Sequence, residues 1–421
     1  MTPKTVYAVV GDFGDTREVV PIARVLERRG HTVKYLADAR AIKKATDLLK
    51  NAGVAYETRS PLPTDALDLL LIGTAATAVE AQIEWTRWGR ERGIFTLWME
   101  DLHATGSRKK TQCVAPDAMM VIDKLAEGVA KVVRPGLPIF IVGKPTFSDP
   151  REMPRLEDGP AIRAKIRAEL GLTDTDFMVV VAFGGEPPQL AEEQLQICLD
   201  NLGIIFPPNC MVAWRFHPKH SNAAGMREKA MATSSAAGVR TVDTAEKDLK
   251  QLMVAADFAV ATWGTTDRLA ALIHGTPLAT MLFPDQSEML KESGFPDAVP
   301  VCVATDLQAG VRDAEELGQL AHNVLVSHLQ GLQTGKDPAR IYTKGFRGSK
   351  FVSLLEPGAV ECAADVVESF LPDLPLRVYG ALPPSLEMIG MTAEELQKRQ
   401  GAGDPTTPED PGCGNCGCKH G

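Results

Sequence analysis

Val6-Tyr-Ala-Val-Val10 runs into Gly11-Asp-Phe-Gly-Asp15, and a helical pattern follows through Val19, Ile22, Ala23, Val25 and Leu26. It closes at Arg29-Gly30-His31, after which Val33, Tyr35 and Leu36 open a second apolar run. Strand, glycine turn, helix, strand is the order of a parallel βαβ unit. Gly11 and Gly14 permit a sharp bend between strand and helix, and Gly30 suits a helix C-terminus. Asp15 is left at the carboxyl end of the first strand, where open α/β sheets bind ligands.

The alternation continues outward from that unit. Strands are expected at 67–73, 94–99, 118–122 and 139–143, with helices at 76–92 and up to Val133. Residues 1–145 therefore form one Rossmann-like domain. Residues 146–158, rich in proline and polar side chains, form a linker. Alternation restarts over 159–371, with helices at 161–170, 189–202, 248–255, 267–273, 314–328 and 358–370. Its strands fall at 177–183, 210–216, 258–261 and 278–283. The fold class is α/β: two Rossmann-like domains facing across a cleft, with the last helix crossing back to the first domain. Residues 372–421 form a Pro/Gly-rich tail with one short helix, whose Thr392-x-x-Glu395 fits a capping box.

Composition narrows the function. The chain has 421 residues, 44% of them hydrophobic and 24% charged, ordinary for a soluble globular protein. No apolar run reaches the roughly 18 residues of a membrane span, and the first residues lack a signal peptide's apolar region. A cytoplasmic protein is expected. The net charge of −9 argues against indiscriminate nucleic-acid binding. Residues 1–150, however, carry 21 Lys/Arg against 18 Asp/Glu, and the remainder 24 against 36. Cys113, Cys198, Cys210, Cys302 and Cys362 stand in apolar surroundings and read as reduced core residues.

Gly11-Asp-Phe-Gly-Asp15, followed by Ala23-x-x-Leu26-x-x-Arg29-Gly-His31-x-Val33, resembles the opening of GT-B glycosyltransferases, specifically the antibiotic and sterol branch. The resemblance implies that Asp15 is the general base taking the acceptor hydroxyl proton. Sugar transfer needs a carboxylate there, because the attacking oxygen gains positive charge as it bonds to carbon. The other role open to Asp15 is a cap at the helix N-terminus. Asp12 is the rival carboxylate and reads as structural. Gly14 belongs to the same acceptor-side turn; Glu100, Asp101 and His103 stand at a strand end that faces the same cleft if the sheet is parallel, where they either assist the acceptor, orient Asp15 or cap a turn.

The second domain supplies donor-side motifs. Phe183-Gly184-Gly185-Glu186 follows a strand, and resembles the turn that lets the backbone approach a nucleotide donor. Trp263-Gly264-Thr265-Thr266 resembles the turn whose helix N-terminus binds donor phosphates, without a metal. Asp285-Gln286 resembles the pair that hydrogen-bonds donor sugar hydroxyls. His217, with His220, ends another strand and can present donors to phosphates. Each of these also fits an ordinary turn. Relatives carry a ribose-holding Glu in the helix after Thr266, where Ala270 stands here.

Two further patterns carry weaker chemistry. Trp85, Arg87, Trp88, Arg90 and Arg92 share a helix, which fits either nucleic-acid contact or buried tryptophans with solvated arginines. Cys413-x-x-Cys416-x-Cys418-x-His420 offers zinc ligand types in a short glycine-rich terminus, where a flexible thiol tail is the other reading. The resulting expectation is a metal-independent, inverting glycosyltransferase with no cofactor, a UDP-sugar as co-substrate and a hydroxyl acceptor of open class. A hydroxylated DNA base is among the acceptors. A sugar-nucleotide 2-epimerase and a catalytically silent nucleotide-sugar sensor are the alternatives.

Overall fold

The computed structural model describes residues 3–41, 43–59, 67–74, 78–184, 188–202, 210–217, 220, 222–262, 268–282, 309–334 and 358–371. Its first seven strands are β1 (Thr5–Val10), β2 (Thr32–Asp38), β3 (Tyr56–Arg59), β4 (Leu69–Gly73), β5 (Phe95–Met99), β6 (Ala118–Val121) and β7 (Ile139–Ile141). They form one sheet in the order β3-β2-β1-β4-β5-β6-β7, every pair parallel. β1 lies inside it, between β2 and β4, and is buried on both faces from Val6 to Val10, which is why its sequence does not alternate. Four helices serve this sheet: α1 (Phe13–Arg28), α2 (Lys43–Asn51), α3 (Val79–Glu91) and α4 (Lys124–Val133). α1 ends as expected. Gly30 takes a φ of 94°, and the His31 amide reaches back to the Leu26 carbonyl at 3.1 Å.

The second sheet repeats the plan. Its strands are β8 (Phe177–Ala182), β9 (Cys210–Arg215), β10 (Arg240–Asp243), β11 (Phe258–Thr262), β12 (Leu278–Met281) and β13 (Ala309–Val311). Their order is β10-β9-β8-β11-β12-β13, again all parallel. The accompanying helices are α5 (Gly159–Glu169), α6 (Pro188–Asp200), α7 (Ala223–Ala236), α8 (Leu249–Ala255), α9 (Arg268–His274), α10 (Ala314–Thr334) and α11 (Ala359–Ser369). Strand order reverses between β1 and β4 in one sheet and between β8 and β11 in the other. Those are the two points where an open sheet leaves a crevice for a ligand.

Alternate residues of β8 feed different cores. Phe177, Val179 and Val181 pack under α6, α7 and α10, while Met178, Val180 and Ala182 join the cluster that continues into the first sheet. α11 does cross back to the first sheet. Phe370, just beyond it, stacks on Phe95 at 4.4 Å between ring centroids and meets Phe140 edge-on. Arg29 bonds Asp365 at 2.7 Å and Glu368 at 2.9 Å, and His31 Nε2 lies 3.2 Å from the same Glu368.

Some expectations fail in detail. Cys113 is exposed rather than a core residue, because it closes a 3₁₀ turn at the surface; Cys198 and Cys210 are buried and Cys362 half-buried. Cys302 lies outside the described residues. Trp85 and Trp88 are buried and Arg87, Arg90 and Arg92 exposed, so α3 presents no aromatic platform for bases. No helix among the described residues is long and apolar enough to cross a membrane.

Candidate active site

The turn after β1 is held by two carboxylates that cap each other's amides. Asp12, in extended backbone, is the N-cap of α1 and accepts from Gly14 N at 3.0 Å and Asp15 N at 3.1 Å. Asp15, three residues on, reaches back to Asp12 N at 3.0 Å and Gly11 N at 2.9 Å, and accepts from Thr16 Oγ1 at 3.2 Å. This is a capping box built on two aspartates. The cap itself is thus Asp12, and Asp15 is its reciprocal partner. Asp15 lies against Gly73 at the end of β4, where any Cβ would collide with it, so it stands at the switch point of the first sheet.

Four more charged groups close around this turn. A Cβ on Gly14 would fall on Asp101 Oδ2, so that glycine is what lets the β5 loop approach α1. Asp101 bonds Thr74 Oγ1 through both its amide, at 3.3 Å, and its carboxyl, at 3.4 Å. Lys144 donates to the Asp101 carbonyl and, at 2.6 Å, to Glu18 Oε1 on α1. Glu18 also accepts from Thr146 N at 2.9 Å and Thr146 Oγ1 at 2.6 Å, so the start of the linker is bound to α1. Glu100 accepts from Gly106 N at 3.1 Å through Oε1, and its buried Oε2 has no partner among the described residues.

Burial dominates the electrostatics. It raises Asp15 well above the usual carboxylate range, and the negative charge of Asp12 adds to the effect against the Gly11 and Asp12 amides. Burial likewise raises Glu100 well above its ordinary value. Asp101 is pushed up to about 6 by burial and by Asp12, with Lys144 and Arg108 pulling the other way. Accessibility separates the three aspartates: Asp15 is 0% exposed, Asp12 4% and Asp101 5%. Next to this cluster, His103 Nε2 lies 2.8 Å from Asp123 Oδ2. Asp123 also caps α4 through Ala126 N at 2.8 Å, and against the effect of burial these contacts hold it below its ordinary value.

On the second sheet, Gly184 is buried two residues past the end of β8, and Gln194 Nε2 on α6 bonds the Ala182 carbonyl beside it. His217 is half-buried beyond β9, with its ring 5.6 Å from that of His220, which is buried. Phe216 stacks on Phe183 at 4.8 Å, bracing the ends of β8 and β9 together. Gly185, Glu186, Trp263, Gly264, Thr265, Thr266, Asp285 and Gln286 lie outside the described residues, as does the Cys413–His420 tail. β8 leads to α6, and β11 to α9, on the two sides of the second switch point. Ala270 is fully enclosed in α9, so it is a core position and not one from which a ribose is held.

No family model and no curated protein matches this sequence. Solved structures do. MurG of Acinetobacter baumannii superposes with a TM-score of 0.54 at 12% identity, over 87% of this chain and 100% of its own. A putative UDP-N-acetylglucosamine 2-epimerase from Listeria monocytogenes gives 0.56 at 10% identity, over 89% and 98%. The UDP-GlcNAc 2-epimerase of Neisseria meningitidis, solved with UDP-GlcNAc bound, gives 0.52 at 12% identity, over 87% and 99%. The chain has the GT-B fold.

The Glu18–Lys144–Asp101 connection was not anticipated from sequence. Glu18 and Lys144 are 126 residues apart, and neither belongs to a motif. The one available signal was an acidic residue on the apolar side of α1, one position before Val19.

Proposed function

We propose that this protein transfers a sugar from a nucleotide-sugar donor to a hydroxyl acceptor, with the acceptor at the Asp12–Asp15–Asp101 cluster and the donor on the second sheet. The observation that carries the reading is a set of proton-avid buried carboxylates at the first sheet's switch point. A group there takes the proton of the acceptor hydroxyl as its oxygen bonds to the sugar's anomeric carbon, while the bond from that carbon to the diphosphate breaks. A single displacement of this kind inverts the anomeric centre. The best general base has a proton affinity matched to the working pH. Asp15 is assigned as that base by its place in the turn. Its two oxygens are engaged by the Gly11 and Asp12 amides, so it acts once the capping box opens toward the acceptor. Asp101, more accessible, orients the hydroxyl beside it. Gly184, Gly185, Glu186, His217, Trp263–Thr266, Asp285 and Gln286 are assigned to the donor, a UDP-sugar.

Asp15→Asn and Asp101→Asn test the assignment, after a thermal-shift screen of nucleoside diphosphates and UDP-sugars has fixed the donor. Asp15→Asn is expected to lower transfer by about 10²-fold or more, the usual worth of a general base, with UDP affinity unchanged. Full turnover by Asp15→Asn would reject it.

Glu100 favours a second reading, a 2-epimerase. Its proton-holding carboxyl, with Oε2 unpartnered among the described residues, adjoins Asp101, which ionises near pH 6; such a pair can take the C2 proton as the C1–O bond to the diphosphate breaks, and return a proton to the other face as that bond re-forms, with no acceptor present. A UDP-N-acetylhexosamine incubated alone in deuterated water decides between them. Deuterium at sugar C2 with a change of epimer supports the epimerase, and an unlabelled, unchanged sugar supports the transferase.

A further inference from the structure

A cavity of about 530 Å³ lies along α1. Its walls come from α1, α2, the linker segment 145–152 and the first turn of α11. These are the elements that join the two halves. Glu152 of the linker pairs with Arg17 of α1 and lies 3.5 Å from Lys250 of α8 on the second half.

The lining is two-sided in character. Val20, Pro21, Leu48, Ala52, Pro145 and Val360 make an apolar floor. Three arginines of α1 stand over it. Arg17 is taken up by Glu152. Arg24 donates to the Ala52 carbonyl at 2.7 Å and has only a 3.3 Å contact with Glu27. Arg28 is exposed and has no acidic partner among the described residues. The acids of the lining offer little to these two. Asp149 is held by Arg151 at 2.5 Å, Glu152 is paired, and only Glu361 remains at the rim. Gly358, also on the lining, has no side chain to cap the first-turn amides of α11. Arginines and an uncapped helix start suit a phosphate. The volume is that of a ligand pocket and far exceeds one phosphate, so the apolar floor calls for an organic body.

We propose that this cavity binds a small organic phosphate, its body on Val20, Pro21, Leu48 and Ala52 and its phosphate at Arg24 and Arg28. The proposal does not depend on the reaction assigned to the cleft between the sheets. Phenyl phosphate titrated calorimetrically into the full chain, with and without UDP, tests it. One site is expected, unaffected by UDP. Arg24→Gln/Arg28→Gln should weaken it roughly tenfold or more, as loss of charge-assisted hydrogen bonds does. Ala52→Trp, at an exposed position on the cavity floor, should abolish it without disturbing the core. Absence of binding at millimolar phenyl phosphate, binding equal in both variants, or displacement by UDP would each overturn the proposal. Inorganic phosphate binding as tightly as phenyl phosphate would remove the apolar half of the site.

Discussion

The turns after β1 and β8 occupy the same place in two sheets of the same strand order, yet they are made of opposite materials. The first is packed with acids whose oxygens are already engaged by amides, hydroxyls and Lys144. The second offers glycine, a half-buried histidine and a braced pair of aromatic rings. The proposed function assigns proton transfer to the first and the donor's anion to the second. The difference also predicts what mutation does. In the first turn, the groups assigned to chemistry also hold the fold together. In the second, the described members are the buried Gly184 and, at the end of β9, the half-buried His217.

Glu18→Ala should break the first side most severely. Glu18 and Lys144 are both almost wholly buried, so removing one leaves an uncompensated charge, typically destabilising by about 3–5 kcal/mol. It would also release Thr146 and with it the linker's hold on α1. The urea midpoint measures this. A change as small as that from cutting the exposed Arg151–Asp149 pair would show that Lys144 finds another partner.

What could be read in the sequence follows the same division. β1, α1 and β2 were legible because central strands show unbroken apolar runs, the helix shows a 3.6-residue repeat, and glycine marks both turns. α2, β3, α7, β10 and β13 were not. β10 is an edge strand with no fully buried residue, and α2 buries only Ala45 and Leu49, so neither writes a hydrophobic pattern. Asp15 was visible as a carboxylate at a strand end. Its capping-box geometry needed the backbone of Gly11 and Asp12, and the Glu18–Lys144 pair needed the folded chain.

Asp101 sharpens the comparison through pH. Burial first, then the charge of Asp12, raise it from 3.8 to about 6, so the folded state binds this proton more tightly than the unfolded one. The resulting stability is complete below about pH 4 and is lost as pH rises through 6, a change on the order of 3 kcal/mol. Asp15 and Glu100, raised for the same reason, tilt the curve the same way. Asp101→Asn should flatten the profile of unfolding free energy across that window. Wild-type stability independent of pH between about 4 and 6 would mean that Asp101 titrates as it does in water. Turnover should rise over the range where stability falls, since the deprotonated acid that works on a hydroxyl is the form the fold disfavours.

His217→Ala probes the opposite wall, where the expected effect is smallest and the contrast plainest. The ring is half-buried at the carboxyl end of β9, beyond the last residue that pairs with a neighbouring strand. β9 itself is secured elsewhere, by Trp214 in the core and by Arg215 donating to the Thr244 carbonyl at 2.8 Å. Truncating His217 removes a donor and its ring contact with His220, and the urea midpoint should fall by far less than in Glu18→Ala. UDP affinity should fall by about tenfold, the worth of one hydrogen bond to a charged phosphate. Loss of stability with UDP affinity intact would make the second turn structural like the first, and the donor would then have to be held by the other turns of that sheet.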